Sequence, residues 1–137
     1  MFSFHSPTKS TKRKLWPKVV AGFAIILFSV MAWGKYDFCS GWSKHYEKSA
    51  SQLRIDASSP QLPTQDIYDC LIVAEWHDVI ARKYWRAAFQ PWPFGGYPKS
   101  PLISKQEQMA ILEQLTDTGQ LPKKVADTLL LELLTAN

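Results

Sequence analysis

The sequence predicts an all-α protein built from one N-terminal transmembrane helix, a helical hairpin, a proline- and aromatic-rich linker and a second, shorter helical hairpin. Three observations carry this. An uncharged apolar run stands behind a basic tail, apolar residues beyond it recur at three- and four-residue spacing, and no stretch alternates with the period of two that a strand shows. The 137 residues divide at these signals into a basic tail (1–14), a membrane segment (15–34), a hairpin (35–90), a linker (91–103) and a C-terminal hairpin (104–137).

From Val19 to Ala32 the chain reads VVAGFAIILFSVMA, with Ser29 its one polar residue. Extended to Leu15 and Trp33, the run is 19 residues long and contains one charge, Lys18. At about 1.5 Å per residue such a helix spans about 28 Å, close to the hydrocarbon thickness of a bilayer. Lys18 can snorkel to the headgroups, and Trp16 and Trp33 fall near the two interfaces, where indoles are favoured. Pro17 is expected in the first turn, where its missing N–H costs nothing. Five basic residues precede Val19. They favour a single-pass signal anchor in a bacterial inner membrane, N-terminus cytoplasmic and C-terminal part extracytoplasmic. A second reading stays open, because a basic region, a short apolar run and the small residues of Ala32-Trp33-Gly34 also describe a signal peptide. Cleavage near Gly34 would release residues 35–137 as a secreted protein. Both readings place those residues on the far side of the membrane.

The basic isoelectric point, about 9.1, invites a nucleic-acid partner until the charge is located. Residues 1–18 hold Lys9, Lys12, Arg13, Lys14 and Lys18 and no acid, which leaves residues 19–137 with 11 basic and 12 acidic side chains. The charge is interspersed there, and a surface that tracks phosphates needs it clustered. The expected partners are the lipid bilayer and another protein, with no nucleic acid.

In residues 36–57, Phe38, Trp42, Tyr46, Ser49, Leu53 and Ala57 make one helical stripe. Ser58-Ser59-Pro60 ends it, and Pro63 with Thr64 as N-cap starts a second helix running to about Gln90. The short break implies an antiparallel pair. The second helix is apolar on two sides. Ile67, Cys70, Leu71, Ala74, Ala81, Tyr84 and Ala88 form one stripe, and Tyr68, Ile72, Trp76, Val79 and Ile80 form another. The first helix can cover only one of them.

Pro91-Trp92-Pro93-Phe94-Gly95-Gly96-Tyr97-Pro98 can be neither helix nor central strand. Ser104-Lys105-Gln106-Glu107 is a capping box that starts a third helix, with Ile111, Leu112 and Leu115 inward. Gly119 supplies its left-handed C-cap. Leu121-Pro122 opens a fourth, whose apolar face is Val125, Ala126, Leu129, Leu130, Leu133 and Leu134.

No constellation for catalysis is present: there is no phosphate-cradling glycine loop, GxSxG, HExxH, CxxC or CxxCH, and no cofactor is implied. His45 and His77 are the candidate metal ligands, since a turn centred near residue 61 sets them level across the hairpin with Glu75 and Asp78 adjacent. The ferritin-like pattern of Glu and His three apart is missing from both helices. Cys39 and Cys70 fall far apart in the same register, so two separate thiols are expected. Asp78 and Arg82 read as an i, i+4 surface ion pair.

Cys39-Ser40-Gly41-Trp42 with His45, Ala74-Glu75-Trp76-His77, Ile80-Ala81-Arg82-Lys83-Tyr84, Ala87-Ala88 and Pro91-Trp92 together resemble a group of small, uncharacterised bacterial single-pass membrane proteins with a helical hairpin ending in a Pro-Trp segment. The resemblance covers about residues 39–92 and implies an architecture without an activity. The functional expectation is a non-enzymatic, membrane-anchored interaction or scaffold protein that uses Trp76, Trp85, Trp92, Phe94 and Tyr97, residue types that anchor interfaces. The alternative is a metal- or haem-binding module using His45 and His77.

Overall fold

The computed structural model describes residues 10–90 and 103–135, which form four helices: α1 (Ser10–Ala57), α2 (Thr64–Ala88), α3 (Lys105–Asp117) and α4 (Lys123–Thr135). No strand occurs among the described residues. The apolar segment and the first helix of the hairpin are one continuous helix of 48 residues, about 72 Å long at the α-helical rise. The chain does not break at 34/35, because a lone glycine costs a helix only about 1 kcal/mol and neither a proline nor a cap residue adjoins Gly34. The early start of α1 also moves Pro17 from the expected first turn to the helix interior. There it leaves the carbonyl four residues back without its helical donor.

The two halves of α1 have opposite surroundings. Through Trp33 its large apolar side chains point outward, with Phe23, Ile25, Ile26 and Val30 between 63% and 70% exposed. This half is long and apolar enough to cross a bilayer. Its Ser29 hydroxyl donates to the Ile25 carbonyl at 2.8 Å, so that hydroxyl needs no water.

Beyond Lys35, α1 packs antiparallel on α2. Ser43, Ala50 and Ala57 recur every seven residues on α1, as do Ala74, Ala81 and Ala88 on α2, and all six are buried. A heptad keeps one seam facing its partner along the whole hairpin, and small side chains let the helices approach closely. At the distal end Arg54 reaches across to Glu75 at 2.6 Å and Asp78 at 2.5 Å. Asp78 is thus committed across the hairpin, and its ion pair among the described residues is with Arg54, not the expected Arg82. Thr64 is the first helical residue of α2 rather than its cap; the capping position is Pro63, whose carbonyl accepts from Ile67 N. Asp66 in the first turn and Arg86 in the last complement the helix dipole.

The second face of α2 is covered by the C-terminal hairpin. Ile72 is buried with Ile111, Leu112 and Leu115 of α3, Leu121 of the turn and Ala126 of α4, and Tyr68, Trp76 and Val79 pack around them. Leu71 joins this core and Ile80 joins the α1 seam, the reverse of the expected stripes. At 100° per residue both lie about a quarter turn from the centre of each face, so neighbouring shape decides their side.

The capping box is formed: Ser104 N donates to Glu107 Oε2 at 2.8 Å, and Glu107 N to Ser104 Oγ at 3.3 Å. The end of α3 is a Schellman motif, with Gln120 N on the Leu115 carbonyl, Gly119 N on that of Thr116, and Gly119 at φ 73°. Pro122 accepts from Val125 N and Ala126 N and so fixes the start of α4. Leu134, expected inward, is 63% exposed.

Candidate functional site

Three places in the fold bear on function. The first is an aromatic cluster along one side of the α1–α2 hairpin, with Tyr84 buried and Trp42 and His45 exposed. Tyr46 and Tyr84 stack with ring centroids 5.9 Å apart, Trp42 stacks on Tyr84 at 6.2 Å, and His77 meets the edge of Tyr46 at 5.4 Å. His45 lies 5.6 Å from both Trp42 and Tyr46. The hairpin register therefore brings the two histidines to one cluster, as their spacing predicts. Burial pushes the pKa of His77 down, the charge of His45 pushes it further, and Asp78 opposes both. The Nδ1 atom of His77 is buried without a hydrogen-bond partner.

The carboxylates that would complete a metal site are not available to these rings, because Arg54 holds both Glu75 and Asp78. Among the described residues no three His, Cys, Asp or Glu side chains converge as a metal ion needs. Cys39 is fully buried beside Tyr84, Ala87 and Ala88; burial raises its pKa, against the opposing charge of Lys35. A thiol so placed is a packing group, not a nucleophile. Cys70 is a separate free thiol.

The second place is a groove of about 410 Å³ between α2 and the C-terminal hairpin. Ile72, Val73 and Trp76 form one wall and Leu112, Leu129 and Leu133 the other, with Asp69 and Glu132 also on its lining. The groove exists because α3 and α4 lie along the Ile72 face of α2 without filling the space beside Trp76. Such a cleft accepts an apolar side chain, and the two acids favour a basic neighbour on whatever carries it.

The third is a run of aromatic rings at the base of the hairpin. Trp33 lies 6.4 Å from Tyr36, Tyr36 lies 5.7 Å from Phe89 of the α2 C-cap, and Phe89 lies 4.8 Å from Trp85. The structure thus separates two residues grouped on composition: Trp76 belongs to the groove, and Trp85 to this aromatic run. Trp92, Phe94 and Tyr97 lie outside the described residues. Trp16 and Trp33 are each 73% exposed on α1, and Lys18 is exposed beside Trp16.

The heptad of small residues, Ser43, Ala50, Ala57 and Ala74, Ala81, Ala88, is a signal present in the sequence but outside the expected stripes as a set. Tyr36 and Phe89, absent from the expected site residues, join the end of the apolar segment to the end of α2. No family model, curated protein or solved structure matches the chain.

Proposed function

We propose that the protein is a membrane-anchored, non-enzymatic interaction module. The apolar half of α1 holds it in the membrane with the basic tail cytoplasmic, and the two hairpins outside the cytoplasm present the Trp76 groove to an apolar side chain of a protein partner. The groove carries this reading: an open, mostly apolar cleft of about 410 Å³ with Asp69 and Glu132 on its lining fits a helix that bears a large apolar anchor and a basic neighbour. Retention of the anchor, rather than cleavage at Gly34, is supported by the helical backbone through residues 32–34, since a scissile segment has to be extended in a protease cleft.

Deleting residues 104–137 would not test the proposal cleanly, because it uncovers the Tyr68, Ile72 and Trp76 face of α2. Point variants in the full chain do. Trp76→Ala should lose the co-purifying partner and Trp85→Ala should keep it. An unchanged set of co-purifying proteins in both variants counts against the groove. A photo-crosslinking residue at Val73 in the native membrane should give a discrete adduct, and its absence would count equally against it.

A second reading, a metal- or haem-binding module using His45 and His77, is supported by the unpartnered Nδ1 of His77. Elemental analysis and a visible spectrum of the purified protein test it. Absence of metal and haem, with no loss of stability in the double alanine variant, removes it.

A further inference from the structure

We infer that the base of the hairpin is a second membrane contact: Phe89 seats in the headgroup layer of the bilayer that α1 crosses, with the Trp85 indole packed on it from the outer side and the exposed charges of Arg86 and, farther out, Arg82 attracted to the lipid phosphates. This rests on the reading of α1 as a membrane anchor.

The first support is continuity. The rings of Trp33, Tyr36, Phe89 and Trp85 form an unbroken run from the end of the apolar segment onto α2. Trp33 is 73% exposed, Phe89 60% and Trp85 44%, so the run faces outward and is not part of either core.

The second is height. Tyr36 stands three residues above Trp33, about 4.5 Å along the helix axis, and Phe89 touches it, so Phe89 is at the same level. The headgroup layer adds about 5–7 Å to each side of the hydrocarbon core, and aromatic side chains concentrate in it. With Trp33 at the hydrocarbon boundary, Phe89 falls inside that layer. Trp85 stands about one turn higher, about 10 Å above Trp33 and just beyond that layer, with its indole against Phe89.

The third is charge. At 100° per residue, Trp85, Phe89, Arg82 and Arg86 occupy about 100° of the α2 surface, one flank between the α1 seam and the α3 face. Both arginines are exposed, and neither has an ion pair among the described residues. They open onto a groove of about 250 Å³ between α2 and α3, where the acid, Glu107, is already held by Lys83. Asp37, exposed on α1 near this level, is the one acid of α1 between Lys35 and Lys44 and leaves the α2 flank basic. Guanidinium groups beside amphipathic rings match a phosphate-bearing interface better than an apolar protein surface.

The test uses the full chain with Cys39 and Cys70 replaced, reconstituted in phosphatidylcholine vesicles with and without phosphatidylglycerol. Single nitroxides are placed at positions 25, 90 and 131, and their collisions with oxygen and with a water-soluble nickel chelate are compared. The label at 25 should report hydrocarbon depth, that at 90 headgroup depth and that at 131 water. Trp85→Ser with Phe89→Ser should move the label at 90 toward the value at 131. Arg82→Gln with Arg86→Gln should do so chiefly in vesicles containing phosphatidylglycerol. A deep label at 25 with a label at 90 as aqueous as that at 131 overturns the inference and leaves the anchor standing. A label at 90 that stays at headgroup depth in the double serine variant overturns the assignment to these rings. An aqueous label at 25 overturns the anchor and the inference together.

Discussion

The ammonium of Lys83 on α2 lies 2.7 Å from Oε2 of Glu107, the carboxylate that also caps α3. One side chain therefore both starts a helix and ties it to its neighbour. Its partners, Lys83 first and then the Ser104 N–H, hold its pKa down at about 2, against an ordinary 4.5. A carboxyl depressed in the folded state stabilises fully above the unfolded value, and that contribution is lost as pH falls from 4.5 toward about 2. Glu107→Gln keeps a capping-box residue but loses the charge, whereas Glu107→Ala loses both. The expected order of melting temperatures at neutral pH is wild type, then Gln, then Ala. The cap accounts for about 1 kcal/mol, and the partly exposed pair adds about 0.5 kcal/mol. Circular dichroism in detergent reads the order, and equal melting temperatures for the Gln and Ala variants would remove the cap from the argument.

His77 has the same sign in a higher pH window, but from an opposite cause, since burial disfavours its charged form. Its pKa lies below 6.5, so between that depressed value and 6.5 the unfolded chain binds more protons than the folded one. Stability should fall as the solution is acidified through 6.5 and level off below the folded value. Burial sets the shift first, then His45 on α1, with Asp78 on α2 opposing both; Tyr46 on α1 also faces the ring. His77→Phe keeps a ring against Tyr46 and removes the titration. Its melting temperature should change less between pH 7.5 and pH 5.5 (both about one unit from the midpoint) than that of the wild type. An identical slope in both proteins would assign the acid sensitivity elsewhere.

Ser43 tests the small-residue seam. Its hydroxyl is buried without a hydrogen-bond partner, so the position requires small size and not polarity. Ser43→Ala removes an unsatisfied group at constant fit and should raise stability by about 1 kcal/mol. Ala50→Leu on the same seam adds bulk where the helices meet and should lower it by about 1–3 kcal/mol. Chemical denaturation of the two variants gives both signs, and a stabilising Ala50→Leu would show that the seam is loose.

What the sequence showed and what it hid divide along physical lines. Signals contained within a few residues were legible: the capping box at Ser104, the left-handed Gly119, and the two apolar stripes of α2 that require two partners. Which partner covers the second stripe was not legible, because Ile72 meets Leu112 and Leu115 only after the chain has turned back from residues far along it. Side-chain pairing failed for a related reason. Asp78 has Arg82 within reach on its own helix, yet Arg54 approaches from α1 and bonds both Asp78 and Glu75, which a single i, i+4 pair does not match. The carboxylates set beside the two histidines were lost to that same guanidinium. The join between the apolar segment and the hairpin carries no local signal, because one helix keeps its backbone from Ser10 to Ala57 while its surroundings change.

Gly34 is where that join can be tested. It lies within α1 without a positive φ, and a Cβ built there meets no atom within 4 Å. Were it the hinge between an anchor and a separate domain, alanine would remove needed freedom. Inside a continuous helix, alanine instead removes backbone entropy from the unfolded chain, and Gly34→Ala should stabilise by about 0.5–1 kcal/mol. Gly34→Pro should break the helix at the foot of the hairpin, at a cost of about 3 kcal/mol. The same pair of variants bears on processing. A continuous helix protects the peptide bond after Gly34, so intact mass should retain residues 1–34 in the wild type and in Gly34→Ala. A mature wild-type chain beginning at Lys35 would show that the helix is cut after all, and α1 would then serve as a leader in its first half and as one arm of the hairpin in its second.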